Sequence, residues 1–317
     1  MSRVVVTAPL PPGTLDPLHD AGHDVVVLDP PVPLAPVAAE ADALVTLLTD
    51  TVDRTVLDAG AGRLAVVANV AAGHDNIDVA TAAALGIIVC ATPGILDEST
   101  AELALTLALM ARRRTTDAEA TLRAGGWDGW AIDGFLGHDL AGSTMGIVGW
   151  GGIGRALARR AEAFGMDVVH TSRRPTGAAG YVADLDDLLR TADVVSLHVP
   201  LTPATRGLVT ADRLRLMKPT AVLVNTARGA VVDEAALAEA LHDGVIFGAG
   251  LDVFADEPAV HPRLLDAPGA VLLPHIGSAT VATRSAMART AATAVVDVLA
   301  GRSSRCTVPP PSTPETP

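Results

Sequence analysis

The chain has 317 residues, with 23 Lys+Arg against 36 Asp+Glu and a formal net charge of −13. At roughly 150 residues per domain this is two domains with room for real cores, and the acidic balance excludes nucleic acid as the main partner, because phosphate binding needs a basic face. The single lysine, Lys218, precedes Pro219, and the single tyrosine, Tyr181, has no lysine near it, which excludes Schiff-base, Walker-loop and Tyr–Lys proton-transfer chemistry.

The amino terminus, from Met1 to Pro9, reads as a short apolar strand broken by Pro9, Pro11 and Pro12. It is too short for a secretory signal. No stretch reaches the roughly 20 apolar residues of a membrane span; the longest candidate, Leu103–Ala111, follows Glu102. Cys90 and Cys306 are too few for a disulfide framework or a CxxC metal site. A soluble cytoplasmic protein is expected, without membrane or metal.

Short Val/Ile/Leu runs then alternate with Ala/Leu/Arg-rich stretches, the rhythm of a parallel βαβ sheet. In the first third the runs are Val4–Thr7, Val25–Leu28, Ala43–Leu47, Ala65–Val67 and Ile87–Cys90. A long apolar helix from Glu98 to Arg114 follows, suited to a domain connector or a dimer interface, and then a Trp/Gly-rich irregular stretch from Gly125 to Gly142. The rhythm restarts with Thr144–Val148, Asp167–Thr171, Val194–Leu197, Ala221–Asn225, Gly248–Leu251 and Val271–Leu273. Six such runs make a doubly wound dinucleotide-binding sheet. The closing helix, Thr280–Leu299, is Ala-rich and expected to pack back onto the first domain. The proline-rich tail from Ser303 to Pro317 is expected to be disordered.

Gly149-Trp150-Gly151-Gly152-Ile153-Gly154 matches G-x-G-x-x-G, a weak pattern in a chain with 29 glycines. Its setting strengthens it: the strand Met145–Val148 precedes it and the helical stretch Arg155–Phe164 follows. The first glycine permits the tight turn, the second lets backbone approach a pyrophosphate, and the third lets helix and strand pack closely. At the end of the next strand an NAD site places an acid on the ribose hydroxyls. Here the residues are Ser172, Arg173 and Arg174. A hydroxyl and two guanidinium groups suit a 2′-phosphate, so NADP(H) is the expected cofactor, with NAD possible.

Three further segments sit at expected strand ends, where α/β sheets hold ligands: Asn225–Gly229, Asp252–Pro258 and Pro274–Thr280. Each alone is bland. Together, beside a nicotinamide, Arg228, Glu257 and His275 supply a cation, a carboxylate and a proton donor, which is what carbonyl reduction requires.

The order and spacing of Leu47–Asp53, Val70–Asp78, Thr92–Gly94, Val148–Gly154, His198–Thr205 and these three segments resemble the D-2-hydroxyacid dehydrogenases, most closely the glyoxylate/hydroxypyruvate reductase branch. The resemblance runs to about Gly301. It implies an α/β fold of two Rossmann-like doubly wound domains: a discontinuous, flavodoxin-like substrate-binding domain (1–97 and 284–317) and an inserted NAD(P)-binding domain (98–283). It implies that Arg228, Glu257 and His275 are catalytic. A small 2-oxoacid would be held by Leu48, by the backbone of Ala72 and Gly73, and by Arg228 and His275, with Trp130 reaching a neighbouring subunit's pocket in a homodimer. Besides Gly149, Gly151, Gly152, Ile153, Gly154, Ser172, Arg173 and Arg174, the cofactor would meet Thr100, Val199, Pro200, Thr205, Thr226, Ala227, Arg228, Asp252, His275 and Gly277.

On this reading NADPH gives hydride to the keto carbon, His275 gives a proton to the forming alkoxide, and Glu257 favours the protonated histidine. Arg228 orients the carboxylate and carbonyl. Two departures stand out. Glu257 replaces the glutamine of formate-oxidising relatives, which argues against formate. Gly152 stands where relatives commonly carry Arg or Lys, which weakens cofactor binding. A corepressor-like dinucleotide-binding scaffold and a phosphite-type dehydrogenase stay open as alternatives.

Overall fold

The computed structural model describes residues 1–175 and 177–310. They form two compact units that divide after Leu96 and after Gly277, the chain from Ser278 belonging to the first unit. Residues 278–283, expected with the dinucleotide unit, therefore group with the first. Along the first unit run β1 (Arg3–Val6), α1 (Asp16–Asp20), β2 (Asp24–Val27), α2 (Leu34–Glu40), β3 (Ala43–Thr46), α3 (Arg54–Ala59), β4 (Val66–Asn69), α4 (Val79–Ala84) and β5 (Ile88–Cys90). The second unit opens with α5 (Asp97–Arg112) and α6 (Thr115–Arg123), then β6 (Thr144–Val148), α7 (Gly152–Ala163), β7 (Asp167–Thr171) and α8 (Leu185–Thr191). It continues with β8 (Val194–Leu197), α9 (Ala211–Leu216), β9 (Val222–Asn225), α10 (Glu234–His242), β10 (Gly248–Leu251), α11 (Pro262–Leu265) and β11 (Ala270–Leu272). The chain then returns to the first unit as α12 (Val281–Leu299).

Among the described residues the first unit holds a parallel sheet of order β2-β1-β3-β4-β5, a flavodoxin-like winding that reverses between β1 and β3. β3 and β4 are buried at every residue, as strands of a sheet covered on both faces are, and each ends in a buried polar residue, Thr46 and Asn69. Aspartates start two of its helices: Asp53 accepts from the N–H of Val56 at 3.1 Å and Asp78 from that of Thr81 at 3.0 Å, each cap contributing about 1 kcal/mol. α12 is capped by Thr280, which accepts from the Thr283 N–H, and lays Ala291, Ala292, Ala294 and Val295 against β3, β4 and β5. The return of this helix to the first sheet is what the sequence led us to expect.

The tail does not follow expectation over residues 303–310. Thr307 bridges Cys90 in antiparallel fashion and the Val308 N–H donates to Val89 O at 2.8 Å, so this segment pairs along β5, a strand at the sheet's edge. An unpaired edge is a standing invitation to other strands, and pairing outweighs the local proline bias. Residues 311–317 lie outside the described residues.

The second unit's described strands form a parallel sheet of order β11-β10-β9-β8-β6-β7. Outside β7, Tyr181 forms a parallel bridge with His170, where a third strand of the first half would lie. The winding reverses between β6 and β8, so the crevice outside their carboxyl ends is the place for a ligand. α5 is not a free connector: Ala101, Ala104, Leu107, Ala108 and Ala111 are buried against β9, β10, β11 and α7 within this unit. At its end Arg112, 4 % exposed, donates to the carbonyls of Asp193 (3.3 Å), Thr220 (3.2 Å) and Asp139 (2.8 Å). In the irregular stretch after α6, Trp127, Trp130, Ile132 and Leu136 are exposed, Trp130 at 81 %. Among the described residues no helix is long and apolar enough to cross a membrane.

Candidate active site

The glycine-rich turn joins β6 to α7 at the reversal point. Gly149 has φ 108°, closed to most side chains, and a Cβ there would strike the carbonyl of His198, the residue that follows β8. A Cβ on Gly154 would strike the carbonyl of Gly149, while Gly151 faces open space. Two glycines thus hold the turn closed and one leaves its outer side clear, with the amino end of α7 behind it. That is a cradle for a pyrophosphate. Trp150, inside the turn, stacks on the buried His170 with ring centroids 3.7 Å apart and planes 18° from parallel. Burial lowers the pKa of His170 and so favours the neutral ring in this stack.

Ser172, Arg173 and Arg174 follow β7 directly; the two arginines are exposed and the Ser172 hydroxyl donates to Arg174 O at 2.7 Å. After β8, Val199 is partly buried, and Thr205 donates its hydroxyl to Pro200 O at 2.6 Å, closing the 200–205 loop on itself. After β9, Thr226 is 9 % exposed and its buried hydroxyl has no hydrogen-bond partner among the described residues. Such an orphan oxygen is costly unless a ligand meets it. With the glycine cradle, it makes the unit a fit for a dinucleotide. Among the described residues no group of His, Cys, Asp or Glu could hold a metal ion.

Gly152 is where the structure adds what the sequence did not reveal. A Cβ there would collide with the Asp97 carboxylate, which comes from the first turn of α5. Any side chain at 152, including the arginine or lysine common in relatives, therefore requires the Asp97 carboxylate to swing aside. Burial raises the Asp97 pKa, against the pull of Arg155.

The three strand-end segments converge. His275 Nδ1 and Glu257 Oε2 are 2.8 Å apart, and the Phe254 N–H donates to the other Glu257 oxygen at 3.0 Å. Burial pushes the Glu257 carboxyl up, but the hydrogen bonds from His275 and Phe254, with the charges of His275 and Arg228, hold it below its ordinary value. Arg228 thus lies within electrostatic reach of the pair; its Nη1 donates to Ala227 O at 2.8 Å. Asn225 shapes the Arg228 loop, donating to Arg228 O at 2.9 Å and accepting from the Ala227 N–H at 3.0 Å. Gly229 comes so close to the backbone of Phe254 and Ala255 that no side chain fits, which brings the Arg228 and Glu257 loops into backbone contact.

His275 has φ 53°, a left-handed conformation that costs a non-glycine residue about 1 kcal/mol or more. Asp252 holds it there. Only 1 % exposed, this carboxylate accepts from the N–H groups of Ile276 and Gly277, both at 2.7 Å, while its carbonyl accepts from the His275 N–H at 2.8 Å. Thr100 adds a bond from α5 to Gly277 O at 3.3 Å. Asp252, expected to touch cofactor, is here bonded to backbone. With Nδ1–H directed to Glu257, the outward Nε2 of His275 is the atom able to carry a proton to a ligand.

The remaining expected residues lie elsewhere. Leu48, Ala72 and Gly73 are in the first unit, in the loops after β3 and β4, with Leu48 exposed. Trp130 is in the exposed stretch after α6. Asp97 and Asn69 carried no motif signal; Asn225 and Asn76 lay inside the segments Asn225–Gly229 and Val70–Asp78 without a role of their own.

Residues 105–277 match the family model of the D-isomer specific 2-hydroxyacid dehydrogenase NAD binding domain. The chain is 49 % identical over 259 residues to a glyoxylate reductase of Thermococcus litoralis, covering 78 % of each, and 45 % identical over 317 residues to one of Aeropyrum pernix, covering 95 % of this chain and 93 % of that one. It is similar, with a TM-score of 0.88 and 35 % identity over 97 % of this chain and 96 % of the other, to the NADPH-dependent glyoxylate/hydroxypyruvate reductase of Sinorhizobium meliloti, solved with NADP and malonate. An NAD-binding sheet bearing these strand-end loops is that of an oxidoreductase. The chain belongs to the D-isomer specific 2-hydroxyacid dehydrogenases.

Replacing Asp97 by Asn removes a negative charge from beside the glycine turn, and should tighten NADPH binding roughly fivefold, about 1 kcal/mol. Fluorescence titration measures this; unchanged or weaker binding would contradict the assignment. The Glu257 pKa is depressed in the folded state, so its contribution to stability is complete at neutral pH and is lost as pH falls through that lowered value. The Tm difference between wild type and Glu257→Gln should be widest near pH 7 and close in acid; a difference independent of pH would count against it.

Proposed function

We propose that the protein reduces a small 2-oxoacid, glyoxylate or hydroxypyruvate, to the D-2-hydroxyacid with NADPH in preference to NADH. The observation that carries the reading is the His275–Glu257 contact of 2.8 Å beside Arg228, at strand ends of a dinucleotide-binding sheet. The names of the relatives in Thermococcus and Aeropyrum support the substrate class.

A bound nicotinamide supplies hydride to the keto carbon. The residues of the chain do the rest. His275 delivers the proton from Nε2 to the forming alkoxide, its ring fixed by Glu257 at Nδ1. Glu257 stays ionised at neutral pH and stabilises positive charge on the ring that it orients. Arg228 offers its guanidinium to the substrate carboxylate and carbonyl, fixing orientation and meeting the negative charge that grows on oxygen. The N–H groups near Ala72 and Gly73 take the carboxylate, with Leu48 beside them.

Preference for NADPH rests on Ser172, Arg173 and Arg174 and on the lack of any carboxylate at that strand end, as well as on the NADPH-dependent relative in Sinorhizobium. The test is oxidation of NADPH and of NADH with glyoxylate, hydroxypyruvate and pyruvate. Turnover of the first two is expected, faster at limiting NADPH than at limiting NADH. His275→Ala should lower kcat by about 10²–10⁴-fold. An inert wild type, or a variant as fast as wild type, would refute the mechanism.

Trp127, Trp130, Ile132 and Leu136 put four exposed large apolar side chains in one short stretch, the kind of surface that a partner covers, and a second copy of the chain is its proposed cover. Light scattering should then return twice the 32.3 kDa chain mass, and Trp130→Glu should shift it towards one. A monomeric wild type would refute the dimer.

A further inference from the structure

The first unit contains a polar cluster that the proposed chemistry does not use. Asn69, the last residue of β4, is fully buried. Its amide group donates to Gly73 O at 3.0 Å and to Asn76 Oδ1 at 3.0 Å, and its oxygen accepts from the Thr46 hydroxyl at 3.1 Å and from Asn76 Nδ2 at 3.5 Å. An asparagine has two donor hydrogens and two acceptor positions; here both donors and one acceptor position are engaged, and the 3.5 Å approach of Asn76 Nδ2 shares hydrogens committed to shorter bonds. Asn76 passes the connection on, donating to Leu47 O at 3.1 Å and Asp50 O at 2.8 Å. Asp50 in turn accepts from the Leu47 N–H at 2.7 Å and from the Thr7 hydroxyl at 2.5 Å. The carboxyl ends of β1, β3 and β4 are thereby tied through two carboxamides and one carboxylate.

The tie has a direction. In a trans peptide the C=O and the following N–H point opposite ways. Asn69 draws the Gly73 carbonyl inward, so the N–H of His74 turns outward, away from the buried amide. Burying so many polar groups is tolerable only if each keeps its partner, so the loop from Val70 to Asn76 has one favoured arrangement. It presents its outer N–H groups without needing a side-chain cation.

We propose that Asn69 and Asn76 are positioning residues for the substrate carboxylate: they hold the Gly73–His74 peptide so that the amides of the 72–74 loop face the anion. This rests on the assignment of Ala72 and Gly73 to the carboxylate under the proposed function. The two asparagines act on anion affinity, not on hydride or proton transfer.

The experiment uses the full-length protein and three substitutions, Asn69→Ala, Asn76→Ala and the milder Thr46→Val, which removes only one contact to Asn69. KM for glyoxylate should rise about 10–100-fold in the asparagine variants and about twofold in Thr46→Val. The kcat at saturation and the Kd for NADPH should stay within about twofold of wild type. The double variant should be little worse than the worse single one, because both act on one loop. Calorimetric titration of oxalate, a dianion that cannot be reduced, into protein with NADP+ should show the same order of affinities. Unchanged KM and oxalate affinity in either asparagine variant overturns the proposal. So does a parallel fall in kcat and cofactor affinity, which marks general structural damage. If Asn69→Ala does not fold, Asn76→Ala and Thr46→Val decide between these outcomes. A wild type inert towards every 2-oxoacid defeats the reductase reading instead, and the oxalate titrations still decide the role of the asparagines.

Discussion

The Asp252 carboxylate, buried in the second unit, sets the geometry of everything around it. Unpaired, a buried carboxylate costs several kcal/mol; here two backbone N–H groups meet it at 2.7 Å. Their pull curls residues 275–277 into a turn that leaves His275 at φ 53°, a conformation that the free chain would leave. The strain is small beside the cost of releasing Asp252, so the turn holds. His275 is then aimed at Glu257, and the proton-bearing pair inherits its placement from an aspartate that need not touch a ligand.

The same solution recurs at other strand ends. Asn225 binds the backbone on both sides of Arg228's loop, and Asn69 and Asn76 do so across the first sheet. A parallel sheet ends in loops whose carbonyls and amides lose their ladder partners just where a ligand must approach. Buried amide and carboxylate side chains satisfy the inward-facing half of those groups, leaving the outward half for the ligand. For a chain with a net charge of −13 this matters, because every proposed ligand is an anion. Attraction has to be local, from oriented amides and a few guanidinium groups.

Much of this was legible in the residues. Parallel strands buried on both faces are mostly apolar, so runs such as Val194–Leu197 declared themselves. β11 begins at Ala270, one residue before the apolar run suggested, since register is set by pairing with β10 rather than by side-chain character. The glycine turn was legible because Gly149 and Gly154 answer local steric demands. Other features were not. Gly152 read as a missing cation, and nothing in that reading showed that the Asp97 carboxylate, 55 positions earlier, lies against it. The tail read as disordered because composition reports local preference, whereas its pairing with β5 is a contact between residues more than 200 positions apart. Asn69 and Asn76 look like any polar residues near a turn until the sheet brings them together.

The stacked Trp150 gives the molecule an optical property as well as a structural one. Its three tryptophans fall into two settings: Trp127 and Trp130 face solvent, while Trp150 lies against the His170 ring inside the glycine-rich turn. Emission from the exposed pair reports the polarity of whatever covers the stretch after α6. Emission from Trp150 responds to electron and energy transfer at the dinucleotide site itself. The proposed assembly and cofactor capture would thus each perturb a different tryptophan setting of the unlabelled chain.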